Sequence, residues 1–299
     1  MTATKTTSST YRVGDIAVTR VEELLSPGSP PSYLFADFRP SFYEENPELA
    51  SPAFLDPKTQ RLMSSMHTWL VRNGDDVILV DTGCGNAKPR PPAFRRFDML
   101  DTPFLDRLAA EGVTPEDVTL VVNTHFHVDH VGWNTMLVDG RWVPTFPNAR
   151  YLFPKAEYEH WIATDTGLKG FPECDCYLED SIKPIYEAGL VDDIADGDEI
   201  SKGLFIQAAP GHTAGQVAVI ARSKGETGIF SADVLHQIVQ VPRPEWHCRF
   251  DEDSALAYRT RKALLEQAIE TDAMVFPAHF GAPHASRLAR RGSGYCLVL

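Results

Sequence analysis

The run Thr124-His125-Phe126-His127-Val128-Asp129-His130 places three imidazoles and a carboxylate within six residues. These are the donors that zinc and similar borderline cations accept. The preceding stretch, Thr119 to Val122, is apolar and largely β-branched and reads as a buried strand leaving through Asn123 and Thr124. His125 and His127 then depart on one side, because alternate residues of extended chain share a face. Asp129 and His130 follow in a tighter turn and point to a second position. Two histidines alone would read as satisfied surface or core groups. So dense a polar cluster beside a core calls for a cation instead. Downstream, His212, Asp233 and His279 each stand at a strand end or in a loop, and the seven side chains together offer enough donors for two adjacent ions. Two such ions about 3.5–4 Å apart share a hydroxide that is nucleophilic at neutral pH. Hydrolysis is the chemistry expected, with no serine or cysteine nucleophile.

Short apolar strands alternate with helical stretches around these residues, the pattern of a layered α/β domain. Strands are expected at Ile16 to Val21, Met66 to Val71, Val77 to Val80 and Leu204 to Ala208, with Asn73-Gly74-Asp75-Asp76 turning between the second and third. Ser231-Ala232-Asp233 ends a further strand, and Met274-Val275-Phe276 forms another. Helices are expected over Thr102 to Glu111, Pro154 to Ile162, Cys176 to Ala188 and Asp253 to Ala268, the last opened by the acidic turn Asp251-Glu252-Asp253. Ser32 to Phe54 is rich in aromatic residues without clean periodicity. It reads as an insertion at about residues 30–60 that covers a core, forms a lid or meets another subunit.

These motifs resemble the metallo-β-lactamase superfamily. Asp81-Thr82-Gly83, the histidine run, Pro210-Gly211-His212-Thr213-Ala214-Gly215, Ser231-Ala232-Asp233 and Pro277-Ala278-His279 occur in that family's order. The resemblance implies a four-layer αββα sandwich. It also implies one metal on His125, His127 and His212, a second on Asp129, His130 and His279, and Asp233 bridging both. His279 is preferred to nearby His284 because it follows a strand directly. Asp81 is expected to accept from the outer ring nitrogen of a ligand histidine. Trp133, Phe280 and Trp246 are the candidates for the substrate pocket, the first two by adjacency to ligands and the third within the loop Val241 to Phe250. Zinc is the expected metal, with manganese, cobalt or iron accepted by the same donors.

Departures from each branch narrow the reaction. β-Lactamases of the commonest type place cysteine where this chain has Asp233, and the diiron flavoproteins place glutamate where it has His127. Glyoxalase II-type thioesterases share the ligands but carry basic glutathione-binding residues with no convincing counterpart here. The lactonase and esterase branch remains, including acyl-homoserine lactonases and enzymes resembling methyl-parathion hydrolase. Quorum-quenching lactonases typically carry tyrosine three residues after the bridging aspartate, and this chain carries His236. His236 and Asp129 are the candidate catalytic groups, for stabilising the oxyanion and protonating the leaving oxygen. The expected reaction is opening of a lactone or an aryl carboxylic ester. A phosphotriesterase is the nearest alternative, and a mononuclear iron sulfur dioxygenase or a non-catalytic metal-binding protein the alternatives of another class.

The 299 residues read as one domain over 11–299, behind a Ser/Thr-rich disordered tail over 1–10. A net charge of -13, from 41 acidic and 28 basic residues, argues against nucleic acid as partner. The basic group Arg287, Arg290 and Arg291 reads as a solvated helix end. No apolar run is long enough to cross a membrane. Five cysteines without a C-x-x-C pair fit a reducing, cytoplasmic setting. The family resemblance adds the expectation of a homodimer acting on a small-molecule ester or lactone.

Overall fold

A computed structural model describes residues 9–163, 177–292 and 294–298. The first sheet has seven strands in the order β1-β2-β3-β4-β5-β8-β9. These are β1 (Thr10–Val13), β2 (Ile16–Pro27), β3 (Met63–Asn73), β4 (Asp76–Val80), β5 (Leu120–Val122), β8 (Arg150–Pro154) and β9 (Val191–Ile194), while β6 (Thr135–Val138) and β7 (Arg141–Pro144) form a separate hairpin. β1 to β4 pair antiparallel, β1 with β2 and β3 with β4 through tight turns and β2 with β3 across the long 28–62 connection, and β4, β5, β8 and β9 run parallel. The second sheet is β10 (Glu199–Ser201), β11 (Leu204–Ala208), β12 (Val217–Ser223), β13 (Glu226–Ala232) and β14 (Met274–Pro277), with β13 and β14 parallel.

Side-chain alternation shows how the sheets stack. Trp69, Val71, Ile78, Val80 and Val122 of the first sheet share one core with Val217, Val219, Phe230 and Phe276 of the second. The alternate residues Leu70, Leu79 and Val121 face outward and pack with Phe104 and Leu108 of α3 (Phe104–Ala110), Trp161 of α4 (Lys155–Ala163) and Ile185 of α5 (Lys183–Glu187). Ala218, Ile220, Ile229 and Val275 face the other way. They meet Leu264, Leu265 and Ala268 of α6 (Ser254–Glu270), and Leu34 and Phe42 of the short helices α1 (Pro31–Leu34) and α2 (Phe42–Glu45). Helices, sheet, sheet and helix make four layers, the αββα sandwich. Strict period-2 alternation in strands covered on both faces is what that stacking requires.

Three expectations need adjustment. Arg287, Arg290 and Arg291 lie on a strand, β15 (Arg287–Arg291), paired with β16 (Gly294–Val298), and not at a helix end. There they meet Asp272, Glu266 and Glu48, so the hairpin's cations answer carboxylates of neighbouring elements. Thr10, assigned to the tail, opens β1, and residues 1–8 of the expected tail lie outside the described residues. The expected helix from Cys176 to Ala188 is split into a π-turn over Leu178–Ile182 and α5, with Cys174 and Cys176 outside the described residues. No helix among the described residues is long and apolar enough to cross a membrane.

Candidate metal centre

The candidate ligands leave the C-terminal ends of β5, β11, β13 and β14, and Asp81 leaves that of β4. The Val217 N–H donates to the Thr124 carbonyl at 2.9 Å and ties the two sheets together at this edge. Asp81 adopts φ 57° and turns its carboxylate inward. It accepts from the Thr124 N–H at 2.8 Å, from the Thr124 hydroxyl at 2.9 Å and from His130 Nδ1 at 2.8 Å. The histidine loop therefore starts and ends on one carboxylate. Glu157 of α4, fully buried, binds that loop to the next. One oxygen accepts from the Phe126 N–H (3.0 Å) and the Trp161 indole (2.7 Å), the other from the Thr213 hydroxyl (2.8 Å) and the Gly215 N–H (2.9 Å).

Two glycines of Pro210 to Gly215 are needed for close approach. A Cβ on Gly215 would lie 2.0 Å from the Glu157 nitrogen, and one on Gly211, at φ 132°, would lie 2.3 Å from the Ala257 nitrogen. His212 is held between them. Its Nδ1 donates to Asp251 Oδ1 at 3.0 Å, and Asp251 in turn meets the buried Arg261 at 3.2 Å.

The outer hydrogen bonds decide the ring tautomers. His279 Nδ1 faces the Ser65 carbonyl at 3.0 Å, which only accepts, so that nitrogen carries the hydrogen. His130 and His212 present Nδ1 to carboxylates in the same way. In the neutral rings all three Nε2 atoms are then bare lone pairs, and they converge. His130 Nε2 and His279 Nε2 stand 3.2 Å apart, and Asp233 lies 3.5 Å from the first, 3.2 Å from the second and 3.3 Å from His212 Nε2. His127 Nδ1 joins from the other side, 3.0 Å from His212 Nε2 and 3.2 Å from His125 Nε2. Lone pairs aimed at one another at such distances repel unless a proton or a cation sits among them. Asp233 Oδ1 is moreover buried without a hydrogen-bond donor. The residues present fit metal ions, and they do so in two groups: His125, His127, His212 and Asp233 form one, Asp129, His130 and His279 the other.

Electrostatics point the same way. Burial, with the neighbouring His130 and His127, pushes the His125 pKa well below the usual imidazole value. Burial opposes charge on His130 and His212 too, but Asp233 and Asp81 hold the first well above its ordinary value, and Asp233 and Asp251 lift the second to about 9. Asp233 is disfavoured by burial yet held well below the carboxylate range by His279 and His130. Without a cation the site holds protons, and metal uptake releases them.

A cleft opens over this centre, lined by Asp129, Asp233 and His236 and walled by Tyr33, Phe97 and Phe250. His236 Nε2 is 3.7 Å from Asp233 Oδ2, within a third group with His279. The expected pocket aromatics lie elsewhere. Trp133 stacks on Phe104 and donates to the buried Glu23 at 2.7 Å, in the core on the other side of its loop. Phe280 packs in the α6 layer, and Trp246 against Phe35, Phe38 and Phe42. For Phe280 adjacency misled because successive residues of extended chain point in opposite directions. Of the loop Val241 to Phe250, Phe250 reaches the cleft, and of the aromatic segment, Tyr33 does.

Glu157 and Asp251 escaped the sequence reading. Glu157 was one more polar residue of an expected helix, and Asp251 one more acid of a helix start. In the structure Asp253 alone caps α6, accepting from the Leu256 N–H at 2.9 Å. Asp251→Asn is expected to weaken zinc binding by about 10–100-fold, measured by competition with a chromophoric chelator. Unchanged affinity in a folded variant would leave Asp251 with a purely structural role.

Comparison with known proteins bears on this geometry. A sequence model described as "Metallo-beta-lactamase superfamily" matches residues 65–279. The N-acyl homoserine lactonase AttM of Rhizobium radiobacter is 31% identical over 120 residues, so the match spans 40% of this chain and 41% of that protein. The crystal structure of hydrolase AbOPH superposes with a TM-score of 0.79 at 25% identity, covering 97% of this chain and 96% of the other. AidC, a dizinc quorum-quenching lactonase, superposes with a TM-score of 0.76 at 21% identity over 97% and 96% of the two chains, which shows a common fold.

Proposed function

Because the chain belongs to the metallo-beta-lactamase superfamily, we propose that it is a hydrolase of lactones or carboxylic esters that works with two divalent cations. The observation that carries this reading is the convergence of pinned imidazole lone pairs on Asp233. His125, His127 and His212 would hold one ion, Asp129, His130 and His279 the other, and Asp233 would touch both. When bound, such ions supply a water of lowered pKa and positive charge for the developing oxyanion.

The chain's own groups do the rest. His236 has its pKa pushed down to about 4, chiefly by burial, so at neutral pH it is an uncharged imidazole. It serves as an N–H donor to the ester carbonyl oxygen as that oxygen becomes anionic. Asp129 borders both the centre and the cleft. It is placed to take the proton of the attacking water and deliver it to the leaving oxygen as the carbon–oxygen bond breaks, giving an acid and an alcohol. The aromatic walls suit apolar acyl or aryl groups. The lactonases among the relatives favour a lactone as one such substrate.

Metal analysis and substrate profiling test the reading. Two zinc-like equivalents per chain are expected, with turnover of γ- and δ-lactones or aryl esters above that of phosphotriesters. One iron with oxygen consumption, or metal without hydrolysis, would overturn it. His236→Phe is expected to lower kcat by about 10²-fold while metal content stays at two. Full kcat in that variant would remove His236 from the reaction.

A further inference from the structure

Arg96 lies in the wall of the cleft, in the short helical turn Pro92–Phe97, and it differs from the other arginines drawn into the interior. Arg20, Arg90 and Arg261 each meet a carboxylate, on Glu22, Asp180 and Asp251 respectively. Arg96 meets none among the described residues. Its Nη2 donates to the Ser26 hydroxyl at 3.1 Å and the Ser64 carbonyl at 3.4 Å, both neutral. Nη1 and Nε have no protein acceptor among the described residues and, unlike the Nε of Arg20, are not sealed from solvent. The Arg96 side chain lines the cleft that Asp129 and His236 also line.

Burial lowers the Arg96 pKa, and the charge is supported only through space, by Cys84 and by the candidate ligand Asp129, neither within ion-pair distance. An arginine so placed stays charged and gains from a direct anionic partner. Its planar fork matches a carboxylate, with two parallel hydrogen bonds stronger than neutral ones. Two divalent cations at the centre would outweigh the charges of Asp129 and Asp233, so an anion entering the cleft would not be repelled. We propose that Arg96 anchors a free carboxylate on the substrate, so that the enzyme prefers esters or lactones of acids carrying a second, ionised carboxyl group. This rests on the hydrolase reading for the scissile bond, and names the chemistry at the other end of the same cleft. Bracing the turn is served by Nη2 alone and leaves Nη1 and Nε unused.

The test uses the metal-loaded protein and mono-aryl esters of dicarboxylic acids from glutarate to suberate, each beside the neutral ester of equal length. Wild type is expected to favour the charged member by at least about tenfold in kcat/KM at the length that fits. Arg96→Met should collapse that ratio, and Arg96→Lys should retain part of it. A wild-type preference for the neutral ester at every length, or an equal loss on both classes in Arg96→Met, would overturn the proposal. Calorimetry with the dicarboxylates themselves and matching monocarboxylates separates the two readings. If no ester turns over but wild type still binds a dicarboxylate at least about tenfold more tightly than Arg96→Met does, the anion site stands and the hydrolase reading falls. If esters turn over without charge preference, the hydrolase reading stands and the anion site falls.

Discussion

Asp233→Ala is expected to lower kcat/KM for ester or lactone hydrolysis by at least about 10³-fold, some 4 kcal/mol of transition-state stabilisation. Metal content should drop below two equivalents per chain. Asp233 reaches both candidate groups, with Oδ2 3.3 Å from His212 Nε2 and Oδ1 3.2 Å from His279 Nε2. Its carboxylate is also the main source of the negative potential around the imidazoles, as the raised pKa values of His130 and His279 record against the pull of burial. Asp233→Asn keeps the shape and removes the charge. It should fall between wild type and alanine in metal affinity. Elemental analysis with steady-state kinetics decides the matter: two tightly held ions and near-normal turnover in Asp233→Ala would end the dinuclear account.

The second large effect concerns stability. Glu157→Ala would strand two backbone N–H groups, an indole N–H and a hydroxyl in the buried seam between the His125 and His212 loops. A buried donor without an acceptor costs about 1–3 kcal/mol, so a loss of at least about 3 kcal/mol is expected even if some donors find water. For a chain of 299 residues that lowers Tm by roughly 5 °C or more. Burial raises the Glu157 pKa, and four donors around it favour the ionised form, so the amide of Glu157→Gln is a poor substitute. Its NH₂ would confront donors on one side. Urea unfolding of the metal-free protein measures the effect without contribution from metal binding. A change below about 1 kcal/mol would mean that the two loops are held by something other than this carboxylate.

Much of the site was legible because its chemistry is local in sequence. His125, His127, Asp129 and His130 lie in one short loop, and His212, Asp233 and His279 each follow a strand that its own apolar residues mark. Asp81 was legible for the same reason. The layers were expected from the family resemblance, and the structure carries them by strand alternation, with Leu70 and Val71, or Ile229 and Phe230, divided between opposite cores. Residues whose role depends on a partner far along the chain left no such mark. Glu157 and Asp251 act across 56 and 39 residues, on Thr213 and His212. Trp133 and Phe280 were assigned to the cleft by adjacency to ligands and Trp246 by its loop, and side-chain direction sent all three into cores instead.

The amino-acid sequence by itself determined the donor inventory, the order of strands and loops that carry it, and the family, because residue type, spacing and apolar period are properties of the chain. Tertiary structure alone decided which ring nitrogens are pinned as donors, which carboxylate stands behind each histidine, and which side chains wall the cleft. Those are settled by distances between segments that burial of apolar surface brings together, and by the demand that every polar group trapped between them find a partner.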